Sequence, residues 1–116
     1  MIETTIFDLI NPLLAGGAHW NVADQGRSRP YAVVVEVVTL PENTLSDGEA
    51  LQHSMFQISV WDKSYLGAKT AGDAVASAIN AAFSAGTLAG VQISKRGRYE
   101  PDTAMHGFMY EYSFWH

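Results

Sequence analysis

The sequence contains no cysteine, and this absence excludes several kinds of site. Disulfides, thiolate metal ligands and a cysteine nucleophile cannot form without it. Charged residues are also scarce: they make up 16% of the 116 residues, against roughly 25% in an average domain. Because charges are few, more apolar surface has to be covered in the folded protein.

Basic residues are in the minority, with 7 Lys and Arg against 12 Asp and Glu and a net charge of -5. This balance argues against attraction of the whole surface to nucleic acid or to an anionic membrane. Lys95, Arg96 and Arg98 form the one basic cluster and are a candidate basic contact patch. Because Glu100 and Asp102 follow closely, a solvated strand end or a salt-bridge patch between subunits explains this cluster better than contact with nucleic acid.

No apolar run approaches the roughly 20 residues that a membrane-spanning helix needs, so we expect no membrane partner. The first ten residues contain Glu3 and Asp8 and no basic residue, which is not the pattern of a signal peptide. The length fits one domain with one core. We therefore expect a single domain over residues 1–116.

Motifs that carry catalysis or bind metals are absent from the sequence as well. There is no nucleophile elbow and no phosphate-binding loop. Asp62 and Lys63 are adjacent on a predicted strand and would point to opposite faces, so they cannot form a catalytic pair. Four histidines stand in none of the close pairs typical of metal sites: His19, His53, His106 and His116. We expect no catalytic residue, no metal site, no cofactor and no enzymatic activity.

Helical spacing of apolar residues predicts two helices. The first begins near Ile2, and the Asn11-Pro12 pair either ends it near Ile10 or begins a short second turn. The second is a long helix over about 65–85, because Ser64 can cap its beginning and Gly86 can end it. The expected buried stripe of the long helix is Leu66, Ala71, Val75, Ala78, Ile79, Ala82 and Phe83.

Alternating apolar residues and β-branched residues predict the strands. The polar segment 41–54 is predicted to be a long loop. This order of elements favours an α+β domain, in which a mainly antiparallel sheet of four to five strands carries the N-terminal helix and the long helix on one face. The predicted strands are a short one around Trp20 and Val22, "YAVVVEVVTL" (31–40), the stretch that begins at Phe56 in "FQISVWDKSY", and two more at 91–99 and 107–115.

The two helices can cover only one face of this sheet, so its second face is the more informative one. The predicted core face holds Tyr31, Val33, Val35 and Val37 together with Phe56, Ile58, Val60, Phe108, Tyr110, Tyr112 and Phe114. Large apolar patches are seldom left in water, and tryptophan and methionine among isolated polar residues are typical of protein interfaces. The alternative is a small patch that the 17–30 segment or the 41–54 loop shields. The candidate assembly interface on the second face is Val34, Glu36, Val38, Trp61, Met109 and Trp115.

Three motifs, taken in order, resemble a known family over nearly the whole chain. They follow a predicted N-terminal helix that ends in glycines, and they are "VADQGRSRPYAVV" (22–34), "QISVWDKSYLGAKTAGDAVASAI" (57–79) and "YEPDTAMHGFMYEYSFWH" (99–116). The chain is similar to the tail completion proteins of long-tailed bacteriophages, prophages and gene transfer agents, which are the tail terminator or head-to-tail joining proteins. It departs from that family in the 41–54 loop and at Met105-His106-Gly107, where basic residues are usual.

The resemblance implies structural work rather than catalysis. Such proteins form rings, commonly hexameric, that cap the growing tail tube, stop its polymerisation and join the tail to the head connector. The implied partners are further copies of the chain, the tail tube protein and the head completion or stopper protein, and DNA passes through the ring without sequence-specific binding. The implied location is the head-tail interface of the virion, after assembly in the host cytoplasm.

A small-molecule-binding or enzymatic α+β domain is the alternative function. Its pocket would lie between the 41–54 loop and the sheet. A substrate-like ligand that strongly raises the melting temperature would favour this alternative, because selective binding stabilises the native state. Neighbouring genes for capsid, connector and tube proteins would favour the assembly protein.

Overall fold

The computed structural model of the chain describes residues 2–21, 28–43 and 50–116. Its elements, in chain order, are helix α1 (Ile2–Ile10), a 3-10 turn (Asn11–Leu13), strands β1 (Ala18–Trp20), β2 (Tyr31–Asn43) and β3 (Ala50–Asp62), helix α2 (Tyr65–Ala85), and strands β4 (Ala89–Glu100) and β5 (Met105–Trp115). None of the helices in these residues combines the length and the apolar character that crossing a membrane requires.

The five strands form one sheet in the order β1-β2-β3-β5-β4. Only the short β1 is parallel to its neighbour, and the other three pairings are antiparallel. Both helices contribute to one apolar core on a single face of this sheet. The predicted α+β class, the mainly antiparallel sheet and the helices on one face are confirmed.

Helix α2 has the predicted bounds because its two ends carry local signals. Ser64 has extended backbone and its hydroxyl accepts a hydrogen bond from the Gly67 N–H at 3.1 Å, which satisfies a donor without a partner inside the helix. Gly86 adopts φ 80°, and its N–H returns to the carbonyl oxygens of Ala82 and Phe83. This left-handed ending favours glycine, which has no Cβ to clash.

The buried stripe of α2 contains Ala71, Val75, Ile79 and Ala82, as predicted, and differs from the prediction at its other positions. Leu66, predicted to be buried, is 71% exposed. Small residues face the sheet instead and let the helix approach closely: a Cβ added at Gly72 would lie 2.5 Å from the Tyr110 hydroxyl oxygen. The stripe that is observed consists of Ala68, Ala71, Gly72, Val75, Ile79 and Ala82.

The N-terminal helix ends at Ile10, as the first of the two alternatives has it, and a short 3-10 turn with Pro12 follows, as the second has it. Asn11 does not cap this turn. Its side-chain oxygen accepts a hydrogen bond from the Ala18 N–H at 2.9 Å. The contact ties the end of the helical segment to the first residue of β1.

The faces of β2 are opposite to the prediction. Ala32 and Val34 are fully buried on the face that the helices cover, because they pair with Val60 and Ile58. Tyr31, Val33 and Val35, which were predicted on the core face, lie on the opposite face. Val37, also predicted on the core face, is 56% exposed and lies at a bulge. Both faces of this strand are apolar, so its alternation alone does not indicate which face is covered.

Most of the predicted 41–54 loop is strand. The antiparallel pairing of β2 with β3 continues to Asn43 and Ala50, and residues 44–49 lie outside the described residues. Pro41 is tolerated because β1 pairs only with residues 32–34, so β2 has a single neighbouring strand at this point. The long hairpin contributes to an elongated molecule of 51 × 26 × 21 Å.

Aromatic side chains of β3 and β5 form the centre of the core. Phe56 and Phe114 meet edge to face with ring centroids 5.7 Å apart, and both are fully buried, as predicted. The hydroxyl groups of Tyr110 and Tyr112 are buried and have no hydrogen-bond partner among the described residues. Burial, helped by the negative charge of Asp73, raises the pKa of Tyr110 to about 12, and burial also raises the pKa of Tyr112.

Candidate assembly interface

The side of the sheet opposite α1 and α2 is the candidate interface. We call it the helix-free face, because no helix of the described residues packs on it. Strand pairing determines its members, since directly paired residues lie on the same face. They include Tyr31, Val33, Val35 and Val38 of β2, Met55, Gln57, Ser59 and Trp61 of β3, Met105, Met109, Glu111 and Trp115 of β5, and Val91, Arg96, Arg98 and Glu100 of β4.

Trp61 occupies one end of this face. It pairs with Tyr31 on one side and with Gly107 on the other. A Cβ added at Gly107 would lie only 2.5 Å from the indole carbon Cε3, so the indole lies directly over the glycine. The absence of a side chain at Gly107 therefore creates the place for the Trp61 ring, which stays half-exposed.

Four of the six predicted interface residues lie on the helix-free face: Val38, Trp61, Met109 and Trp115. Val38 and Trp115 are each 37% exposed, whereas Met109 is only 6% exposed between its neighbours. Trp115 stacks on His53 with ring centroids 4.6 Å apart and an interplanar angle of 1°. The position of these four residues on the helix-free face agrees with the prediction, and their contact with a partner stays a prediction.

Val34 and Glu36 were assigned to the wrong face. Val34 is fully buried beneath the helices, and Glu36 pairs with Phe56 on the same side but is itself exposed. The bulge after Glu36 then shifts the register, so that Val38 pairs with Met55 on the helix-free face. A bulge changes which residues share a face, and the sequence shows no glycine or proline that would announce it.

The sequence interpretation missed the contribution of β2 to this face. Tyr31, Val33 and Val35 are all half-buried there. One signal could have found them: Ala32 is the smallest residue at the start of β2, and small residues occur where a sheet is closely covered. Ala32 pairs with the buried Ala18 of β1 at this position.

The predicted basic patch is divided between the two faces, as alternation along a strand requires. Lys95 lies on the helix-covered side, with its Nζ 3.6 Å from the Asp73 Oδ1 and 5.4 Å from the centre of the Phe108 ring. Arg96 and Arg98 lie on the helix-free face. The single three-residue patch is therefore wrong, and only two of its charges share a surface.

On the helix-free face, Arg96 is paired and Arg98 is not. The Arg96 Nη2 lies 2.5 Å from the Glu111 Oε1 on the neighbouring strand, whereas Arg98 makes no ion pair with a described residue. The two arginines line a depression of about 310 Å³ together with Gln57, Gly97 and Met109. Glu111 offsets the charge of Arg96, so Arg98 is the cation of this depression without an ion-pair partner among the described residues.

Two further depressions lie next to the end of β3. One of about 190 Å³ opens on the helix-free face and is lined by Tyr31, Trp61, Glu100, Thr103 and Met105. The other, of about 440 Å³, lies on the helix-covered side between the 3-10 turn and α2, and its lining is Leu13, Pro30, Asp62, Leu66, Gly67, Thr70, Ala71 and Ala74.

Acidic and histidine side chains do not assemble a metal site within residues 2–21, 28–43 and 50–116. Two histidines instead contact serines of β3 and β5. His53 contacts Ser113, and the Nε2 of His116 lies 2.7 Å from the hydroxyl oxygen of Ser54. Ser54 is fully buried and also bonds to the Thr39 hydroxyl at 2.8 Å, so its position is that of a structural link and not of an accessible nucleophile.

Comparison with known protein families gives a match over almost the entire chain. The family model described as "Tail completion protein gp17" matches residues 10–116. The matched segment contains all five strands and α2, and therefore the whole helix-free face. No curated protein sequence matches the chain.

Proposed function

The chain belongs to the family of the tail completion protein gp17, and on this premise we propose that it forms a ring that caps the tail tube, stops its polymerisation and joins the tail to the head connector. Membership of this family shows that the protein is a structural component of a bacteriophage tail. The proposed partners are further copies of the chain, the tail tube protein and the head completion or stopper protein. A hexamer is the proposed subunit number.

The observation that carries this proposal is the helix-free face. A sheet with helices on only one side exposes Trp61, Val38 and Trp115 on the other. Removing such apolar surface from water contributes roughly 25 cal/mol per Å². A neighbouring subunit or tail protein on this face would cover the apolar surface that the helices leave open, as a third layer on the sheet.

The edges of the sheet also support a ring. A ring contact joins two different surfaces of the same protein, since each copy meets its two neighbours in a head-to-tail manner. Within the described residues, the outer edge of β4 carries no further strand, and the edge of β2 is paired by β1 only at residues 32–34. These two edges are different surfaces, as a head-to-tail contact needs.

The charge of the protein agrees with a channel for DNA. With a net charge of -5, a ring of several copies carries substantial negative charge. Negative charge at the channel wall repels phosphate and lets DNA pass without sequence-specific binding. The proposed place of action is the head-tail interface of the virion, after assembly in the host cytoplasm.

Deletion of the gene from the phage or prophage that encodes it tests the proposal. The expected particles are filled heads without tails and free tails of irregular length, seen by negative-stain electron microscopy. The wild-type gene supplied from a plasmid should restore joined particles of uniform tail length. Normal joined virions in the deletion strain would contradict the proposed function.

A further inference from the structure

We infer that the depression beside Trp61 binds a basic side chain, lysine or arginine, that a different protein of the assembly presents. It forms where the first residue of β2, the end of β3 and the turn between β4 and β5 come together. Tyr31 pairs with Trp61, and Glu100 pairs with Met105, so two strand pairings place four of the lining residues.

The walls of this depression are held in place by contacts in the isolated chain. The indole of Trp61 lies over Gly107, and Met105 is 5% exposed. The ring of Tyr31 meets the His19 ring edge to face, with centroids 6.3 Å apart. A site whose walls are fixed in advance binds its ligand with a smaller entropy loss than one that has to be ordered.

The lining favours a cation. Trp61 and Tyr31 present aromatic rings, which attract a cation placed over their faces. Glu100 adds a carboxylate, and this group makes no hydrogen bond or ion pair with a described residue. A cation would satisfy both features together through a charge-assisted hydrogen bond and contact with the rings.

The size of the depression indicates a single side chain. Its volume of about 190 Å³ is below the roughly 300–1,000 Å³ that pockets for drug-sized ligands occupy. Among the described residues no Lys or Arg lines it: Arg98 lines the neighbouring depression, and Arg29, whose charge acts on Tyr31, is not a lining residue. The end of one lysine or arginine from outside is therefore the occupant that fits.

The net charge of -5 indicates whose side chain this is. At this depression a basic partner is attracted to the acidic chain, whereas a second acidic copy gains no such attraction; the contacts between copies in the ring are proposed at the sheet edges instead. The identity of the partner as another tail or head protein rests on the proposed function. The preference of the depression for a cation does not rest on the proposed function, because a titration of the isolated chain can measure it.

The experiment is a titration of the isotope-labelled protein followed by nuclear magnetic resonance. N-acetyl-arginine amide and N-acetyl-lysine amide are the cationic probes, and N-acetyl-citrulline amide is the neutral probe of nearly the same shape. Assignment of the Trp61 indole N–H uses Trp61→Phe. We expect saturable shifts of this signal and of the Thr103 amide with both cationic probes, and no saturable shift with citrulline.

Glu100→Gln should weaken binding of the arginine probe roughly fivefold to tenfold, since it removes the charge from the hydrogen bond. Asp102→Asn is the matched control, because it removes one negative charge in the adjacent turn from a residue that does not line the depression. It should change the affinity less than twofold. Thermal unfolding of both variants confirms that they are folded before titration.

Four results would overturn the inference: no saturable shift up to the solubility limit of the probes, an equal response to citrulline, equal losses in the two variants, or shifts centred on Gln57 instead of Trp61. Self-association that Glu100→Gln abolishes would identify a second copy as the occupant and overturn the assignment to a different protein. Failure of the proposed function appears separately, as normal particles in the deletion strain, and leaves probe binding unchanged.

Discussion

Trp61 and Phe56 lie on the same strand and face opposite sides of the sheet, and their environments differ accordingly. Phe56 is fully buried under the helices, whereas Trp61 is half-exposed and lies over a glycine. The sequence predicted both faces correctly here, because Gln57 and Ser59 make one side of β3 polar. The two aromatic residues therefore form a matched pair for separating folding from assembly.

Trp61→Ala should lower the free energy of unfolding by only about 1–2 kcal/mol, because part of its surface is already in water. Phe56→Ala should cost about 3–5 kcal/mol, since it leaves a cavity in the core. Urea unfolding of the isolated protein measures both values. Particle joining, scored in the deletion strain by electron microscopy, should be weakened by Trp61→Ala in spite of its retained fold. If Trp61→Ala unfolds the protein as Phe56→Ala does, Trp61 is a core residue and not an interface residue.

The buried tyrosines predict a loss of stability in alkali. The pKa of Tyr110 is raised to about 12 in the folded protein and that of Tyr112 is raised as well, against about 10 in an unfolded chain. Above pH about 10 the unfolded state releases these protons first, so stability falls as the pH rises towards the folded pKa values. Urea midpoints should therefore decrease between about pH 10 and about pH 12.

Tyr112→Phe is the matched variant for this test. It removes a buried hydroxyl that has no partner among the described residues, so its effect near neutral pH should lie between neutral and about 1 kcal/mol stabilising. It should also reduce the alkaline decrease in the urea midpoint. An unchanged pH dependence in this variant would show that other groups cause the decrease.

At the scale of whole elements, local sequence signals predicted the bounds of α2 but did not predict which face of β2 is buried. Ser64 and Gly86 act on the backbone next to them, so the bounds of α2 follow from the sequence. The face of β2 depends on its pairing with β3, and Val33 and Val34 are equally apolar, so no local signal separates them. The pairing of Asn43 with Ala50 likewise extends the hairpin through polar residues, because backbone hydrogen bonds form independently of side-chain polarity.

Ser64→Ala should destabilise the protein by about 1 kcal/mol, because the Gly67 N–H loses its acceptor at the beginning of α2. Ser77→Ala is the control: this serine is exposed in the interior of α2, where alanine is the better helix former by up to about 0.5 kcal/mol. Thermal and urea unfolding compare the two. Equal effects of the two substitutions would show that the cap hydrogen bond contributes nothing.

For the molecule as a whole, the unequal covering of the two sheet faces follows from the chain length and from the number of helices. One long helix and one short helix cover a single face of five strands, and the other face keeps Trp61, Val38 and the ion pair of Arg96 with Glu111. The existence of such a face could be predicted from the sequence. Its exact members could not, because a bulge and the phase of one strand decide them.

A charge placed on either side of the molecule tests which surface assembles. Val38→Asp adds a charge to the helix-free face, and Leu66→Asp adds one to the helix-covered side, beside the 440 Å³ depression; both residues are exposed, at 37% and 71%. Each should change the free energy of unfolding by at most about 1 kcal/mol, as is usual for surface positions. In the deletion strain we expect Val38→Asp to block head-to-tail joining and Leu66→Asp to permit it, because a buried unpaired charge opposes an interface. Joining that survives Val38→Asp but not Leu66→Asp would move the interface to the side of α2.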